Sequence, residues 1–275
     1  LTPLLPLYQQ HFNISTGTAT LLFVTYTVTV VPTMLIAGNL SDRLGRKRLL
    51  IPAMVTMTLA SLVFALAESV PLLFAGRVLQ GLAIGGFLGV GAAFVVDHAR
   101  PGSKALAAAM AGVFFRLGFG LGPGLAGVAA QYAASPRHTP FWGHIVLMGV
   151  GIVLVATASE TLMRQKDPGP FRIRIGVPSG QALGFMTFVA PATFMMSFIE
   201  GTFLSVVPIF VFETLDVHNL AVVGAIGFLT LALGGLAPFL VRGLDPRRAI
   251  MIGVTASSLL SFLIVLSSQL DTVWL

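Results

Sequence analysis

The chain has 275 residues, of which 56% are hydrophobic and 9% charged, with 30 glycines, no cysteine and a mean hydropathy of +0.92. A soluble domain carries about 25% charged residues, so the composition argues against a water-soluble fold. The absence of thiols removes disulfides and thiolate metal or redox centres. The net charge of +6 falls on short segments between apolar runs, which reads as membrane topology and lipid headgroup contact rather than nucleic-acid binding.

Residues 1–7 are too short to span a bilayer and read as the outer end of a helix; residues 11–17 form a polar turn. Apolar runs then follow at 18–38, 49–67, 70–96, 105–134, 141–159, 183–212, 220–241 and 249–268. A span needs roughly 20 residues to cross about 30 Å of hydrocarbon. Only elements that pair their own backbone are stable there. The expected fold is therefore an all-α, polytopic transmembrane bundle. The first residue is Leu1 and the last is Leu275, and we expect the chain to be a segment of a longer protein. The longest polar stretch, 161–180, is the expected boundary between a half bundle at 1–160 and an incomplete second half at 181–275.

The basic residues orient the spans. With loops alternating sides, one side holds Arg43, Arg46, Lys47, Arg48, Arg100, Lys104, Arg164, Lys166, Arg172, Arg174, Arg242, Arg247 and Arg248. The other side holds Arg137, while Arg77 and Arg116 lie inside spans. This positive-inside bias makes the basic side cytoplasmic.

Three stretches carry more than topology. Gly38 to Arg48 reads GNLSDRLGRKR and joins the first two long spans as a charged loop. Leu73 to Gly81 places Arg77 and Gln80 one turn apart within an apolar run. A cation in hydrocarbon costs at least ~2.5 kcal/mol, so Arg77 should face a cavity or a partner, or else snorkel to the outer interface. Gly118 to Gly127 reads GFGLGPGLAG. Glycines four apart permit close helix approach, and Pro123 bends the helix by removing a backbone bond. Gly81, Gly85 and Gly89 carry the same packing logic. A degenerate copy of the charged loop, Arg242 to Arg248, suggests an internal repeat of two parallel halves.

These stretches resemble the major facilitator superfamily: its G-x-L-x-D-R-x-G-R-[KR] loop, its helix 4 pattern L-x-x-x-R-x-x-Q-G, and its helix 5 pattern G-x-x-x-G-P-x-x-G-G, with Ala126 in place of one glycine. On that frame the chain holds the tail of helix 1, helices 2 to 9 and the start of helix 10 of twelve. The resemblance implies that Asp42, Arg46 and Asp97, with Gly38 and Gly45 in the same loop, form a conformational latch. The spacing of Asp42 and Arg46 would let them pair on one helical face if helix 3 reached back that far. It also implies a substrate or proton role for Arg77 with Gln80, and an antiporter association for Gly118, Gly122, Pro123 and Gly127. Arg116 and Glu200 are further intramembrane charges, hence candidates for the same pathway; burial would raise the carboxyl pKa of Glu200 toward working pH. Phe194 and Phe198 could line a pocket with it.

The histidines are scattered without metal-ligand spacing, and no phosphate-binding glycine loop or nucleophile–base pair is present. No cofactor, metal or enzymatic activity is expected. The expected protein is a multi-pass transporter of a plasma (bacterial inner) membrane, monomeric, exchanging a small molecule for protons by alternating access. The alternatives are an uptake symporter or facilitator for a sugar, organic acid or metal chelate, and a non-transporting sensor on the same fold.

Overall fold

A computed structural model of the chain describes residues 4–160, 179–195, 211, 219–240 and 243–269. Among the described residues the regular elements are all helical. They are α1 (Leu5–Phe12), α2 (Thr16–Leu44), α3 (Arg46–Ala65), α4 (Val70–Asp97), α5 (Lys104–Tyr132) and α6 (Thr139–Thr157). After these come α7 (residues 179–195), α8 (Leu220–Leu240) and α9 (Pro246–Gln269). The helices α2 to α6 are each long and apolar enough to cross a membrane.

The expected spans at 18–38, 49–67, 70–96, 105–134 and 141–159 are present with different ends, and helices also lie at the expected spans 220–241 and 249–268; the expected span at 183–212 is described only to residue 195 and at residue 211. α1 runs on through His11 and Phe12 and stops at Asn13, whose left-handed φ of 50° breaks the helix. The polar turn thus shrinks to a few residues before Ser15, which caps α2 by accepting from the Thr18 N–H. The charged stretch at 38–48 is not a loop: α2 continues to Leu44 and α3 begins at Arg46. Gly45 alone makes the break, with φ 108° and ψ 150°, a conformation that glycine adopts at little cost. Polar side chains do not end a helix where neighbouring helices can pair them; a change of backbone geometry does. α7 begins irregularly, with a 3-10 turn at Ser179–Gln181, one α turn and a π turn at Phe185–Val189.

The described residues divide into two compact units. One comprises Pro3–Ile175 with Asn219–Gly235; the other comprises Gly176–His218 with Leu236–Leu275. Within the first, α4 is the central helix and packs most extensively on α2 and α3. Where α2 crosses α4, glycines replace side chains. A Cβ on Gly85 would sit 2.6 Å from the Val30 carbonyl, and one on Gly89 would sit 2.8 Å from the Met34 carbonyl. Gly81 meets Thr29 and Tyr26 in the same way, as the spacing predicts. A cluster of Ala37, Leu50, Met54 and Val90 fills the space between α2, α3 and α4, flanked by Ile152 and Val155 of α6.

The outward faces are apolar. On α6, Val146, Val150, Val153 and Leu154 are each more than half exposed, whereas Phe141 is its one buried residue. Lipid solvates such a face as well as protein does, so helix association rests on close packing and polar contacts rather than on hydrophobic burial.

Overpacking a tight crossing costs about 1–3 kcal/mol. Gly85→Leu in the full-length protein is therefore expected to lower the thermal unfolding midpoint in detergent. Gly112→Leu, at a site with nothing within 4 Å among the described residues, is expected to leave it unchanged. Equal midpoints for the two variants would show that the α2–α4 crossing does not limit stability.

Candidate functional site

The basic end of the first unit is built around Arg46. As the first residue of α3 it lies directly beyond the Gly45 break. Its Nη1 bonds the Asp42 carboxylate at 2.5 Å and the Ser41 hydroxyl at 2.7 Å, and its Nε bonds the Asp97 carboxylate at 3.1 Å. One guanidinium thus joins the end of α2, the start of α3 and the end of α4. Asp42 and Arg46 do pair, but across the break rather than on a single helical face, because they belong to different helices. Gly38 lies one turn before Asp42 and faces the Gly89 carbonyl at the α2–α4 crossing.

Exposure ranks the two ion pairs. The Asp42 side chain is 64% exposed and that of Asp97 is 27% exposed, against 13% for Arg46. An exposed pair is worth ~0.2–1 kcal/mol, so Asp97 is the stronger partner.

Sequence reasoning missed a further carboxylate. Glu160, just past α6, accepts from the backbone N–H of Arg46 at 3.0 Å and of Lys47 at 3.1 Å. The first N–H groups of a helix have no internal partner and favour an anion. Glu160 satisfies two of them on α3. It fits because residue 45 is glycine: a Cβ there would lie 2.6 Å from Glu160 Oε2. Lys47 returns the contact, its Nζ donating to the carbonyls of Ala156 and Ala158 at the end of α6. No local pattern marks Glu160, since its partners are more than a hundred positions away.

Three of the five histidines without metal spacing are ties between helices. His98 lies against the Phe94 and Ser159 carbonyls, His138 against the Ala65 carbonyl, and His144 against the Ser61 hydroxyl at 2.7 Å. Together they join α3, α4 and the two ends of α6.

Arg77 is buried within α4, with 7% of its surface exposed. Its Nη1 donates to Gln80 Oε1 at 3.0 Å, and its guanidinium lies 5.9 Å from the centre of the Tyr26 ring on α2. It does not snorkel outward. Two polar atoms here are buried and have no hydrogen-bond partner among the described residues: Arg77 Nε and the Tyr8 hydroxyl. Buried polar atoms are paired in the great majority of cases, so this region between α1, α2 and α4 keeps unmet hydrogen-bonding capacity among the described residues. Tyr8 carried no sequence signal, because the short α1 offers too little periodicity to place it.

On α5 the glycines divide by face. Gly120, Gly124 and Gly127 pack against α8; a Cβ on Gly127 would lie 2.8 Å from the Gly224 Cα. Pro123 lies against Gly224 and Gly227. Gly118 and Gly122 have nothing within 4 Å among the described residues, so the packing expected of them is not seen there. They lie about 200° round the helix from Gly120 and Gly124. Arg116, on the α8 side, lies across Gly234 and Gly235. Gln131 at the end of α5 accepts from the Leu220 N–H and so holds the start of α8. In the second unit, Phe194 is 69% exposed. Glu200 and Phe198 lie outside the described residues.

The comparisons with known proteins agree with this architecture. The triacylglyceride transporter of Mycolicibacterium hassiacum is 30% identical over 162 residues, 59% of this chain and 30% of that protein. The bacillibactin exporter of Bacillus subtilis is 32% identical over 102 residues, 35% of this chain and 25% of that protein. The aligned part is thus less than a third of each relative's length. The crystal structure of the human organic anion transporter MFSD10 (TETRAN) superposes with a TM-score of 0.57 at 20% identity, covering 90% of this chain and 62% of that one. It shares the fold. The profile of the Major Facilitator Superfamily matches residues 1–275, so this multi-pass, all-helical membrane chain belongs to that superfamily.

Proposed function

We propose that the chain is part of a secondary active transporter that expels a small molecule in exchange for protons by alternating access. In this reading it supplies a first half bundle to residue 160, a linking segment at 161–180, and the beginning of a second half. The basic end is cytoplasmic, and the parent protein resides in a plasma membrane. The observation that carries the reading is Arg77. A permanently charged group buried inside a membrane-length helix is unfavourable unless it meets a partner or a ligand. Arg77 has Gln80 and the Tyr26 face, and still has an unpaired Nε facing an unpaired buried environment. That arrangement suits recognition of an acceptor group on a substrate, or tuning of a proton site. An exporter among the relatives supports the outward direction, as does the glycine–proline pattern around Pro123.

In this reading Arg46, Asp42 and Asp97 hold the cytoplasmic helix ends in one conformational state. The whole cluster would then act as a latch, with Glu160 fixing the start of α3. A second reading, an uptake symporter or facilitator, is favoured by the packing of Pro123 and its glycines on α8, which explains that pattern without any role in coupling.

Two measurements separate these readings. In inverted vesicles holding the full-length protein, collapse of an imposed pH gradient is followed as drugs, organic acids and sugars are added. A substrate-dependent proton leak that is lost in Arg77→Ala is expected. Substrate flux with no leak would instead establish a facilitator. The latch is tested by alkylation of single cysteines placed at the two ends of the bundle. Asp97→Asn is expected to shift accessibility more than Asp42→Asn, whose exposed pair changes the equilibrium by about fivefold at most. Unchanged accessibility in both variants would sink the latch.

A further inference from the structure

His98 directly follows α4, and its ring lies between two backbone carbonyls. Nδ1 is 2.8 Å from the Phe94 oxygen in the last turn of α4. Nε2 is 3.1 Å from the Ser159 oxygen, just beyond α6. A carbonyl oxygen only accepts. A neutral imidazole has one N–H, so it can donate to one of these oxygens while setting a lone pair against the other. The imidazolium donates to both. Carbonyls at helix ends also carry partial negative charge and favour a cation.

We propose that His98 is a proton-dependent tie, which in its charged form holds the segment after α6 against the end of α4 and so seats Glu160 on the start of α3. Ser159, whose oxygen the ring binds, is joined directly to Glu160. Glu160 in turn accepts from the N–H groups of Arg46 and Lys47. His98 is thus a positioning residue, acting through Glu160 on the arginine that gathers Asp42 and Asp97.

The charged groups meeting here come from every neighbouring element. Asp97 on α4, Glu160 after α6 and Asp42 on α2 are the acidic groups, and Arg46 and Lys47 on α3 and Arg100 beyond α4 are the cations. Lys47 already holds the Ala158 carbonyl from the α3 side. Deprotonation of His98 therefore releases the α4 side alone, and the segment loosens without detaching. The sign follows from the donor count: the tie needs a proton on both ring nitrogens and is lost when one is given up.

The test needs no substrate. The sequence contains no cysteine, so Ser159→Cys in the full-length protein reports on the exposed segment beside the ring. Maleimide labelling is followed across roughly pH 5 to 8 with native His98, with His98→Phe and with His98→Arg. A cation at position 98 favours the thiolate and so speeds labelling, the opposite of the protection expected from the tie, and the ratios between backgrounds are read. Native protein is expected to label slowly, like His98→Arg, at acid pH, and several-fold faster, like His98→Phe, at alkaline pH. A native-to-His98→Phe ratio that does not change with pH overturns the proposal. Should His98→Phe not fold, the imidazole nitrogen resonances of native protein decide: two N–H signals giving way to one across this range support the tie, and a ring in one charge state throughout overturns it.

Discussion

The basic rim of the first unit depends on one guanidinium held between two carboxylates. Arg46 reaches Asp42 on α2 and Asp97 on α4 from the first position of α3. It can do so only because Gly45 turns the chain within a single residue, leaving Arg46 beside the acid it follows by four positions. A longer connection would leave these charges solvated and separate. Glu160 then occupies the space that the missing side chain of Gly45 leaves open, which brings α6 to the same point. Four helix ends are thus gathered by charge-assisted bonds at the rim of the bundle, where water still solvates part of Asp42.

Below this rim the logic changes. Lipid removes the hydrophobic drive for helix association, and the structure shows its substitutes. Glycines let α2 cross α4 and α5 cross α8 at backbone contact, histidines make polar contacts between helices, and threonine hydroxyls are satisfied within their own helix. Thr25, Thr29 and Thr33 of α2 return their hydroxyls to carbonyls one turn back. Large apolar side chains point outward along α5 and α6. A composition that would be an aggregation hazard in water is a solvated surface in hydrocarbon.

Arg77 is the exception to this economy of polar groups. Its charge lies in the middle of the tightest part of the bundle, next to the glycine-mediated crossing of α4 on α2. Gln80 and the Tyr26 ring offset part of its desolvation, and the unpaired Nε leaves the balance incomplete. A purely structural arginine would be expected to have all its donors paired.

Much of this was legible in the residues alone. Spans, the helical class and the family follow from apolar run length and from three ordered motifs, since the bilayer permits few solutions and each leaves a local signature. Asp42, Arg46, Asp97 and the Arg77–Gln80 pair were identifiable because their spacing or their charge in hydrocarbon marks them. Tertiary structure decided the rest. It reduced an eleven-residue loop to one glycine, because backbone geometry rather than polarity ends a helix. It chose which α5 glycines pack, because the helical angle to a neighbour is set by that neighbour. It brought Glu160 to Arg46 and His98 to Ser159, and gathered Tyr8 beside Arg77. Those contacts join residues far apart in the chain, and their energies depend on distances that no local pattern encodes.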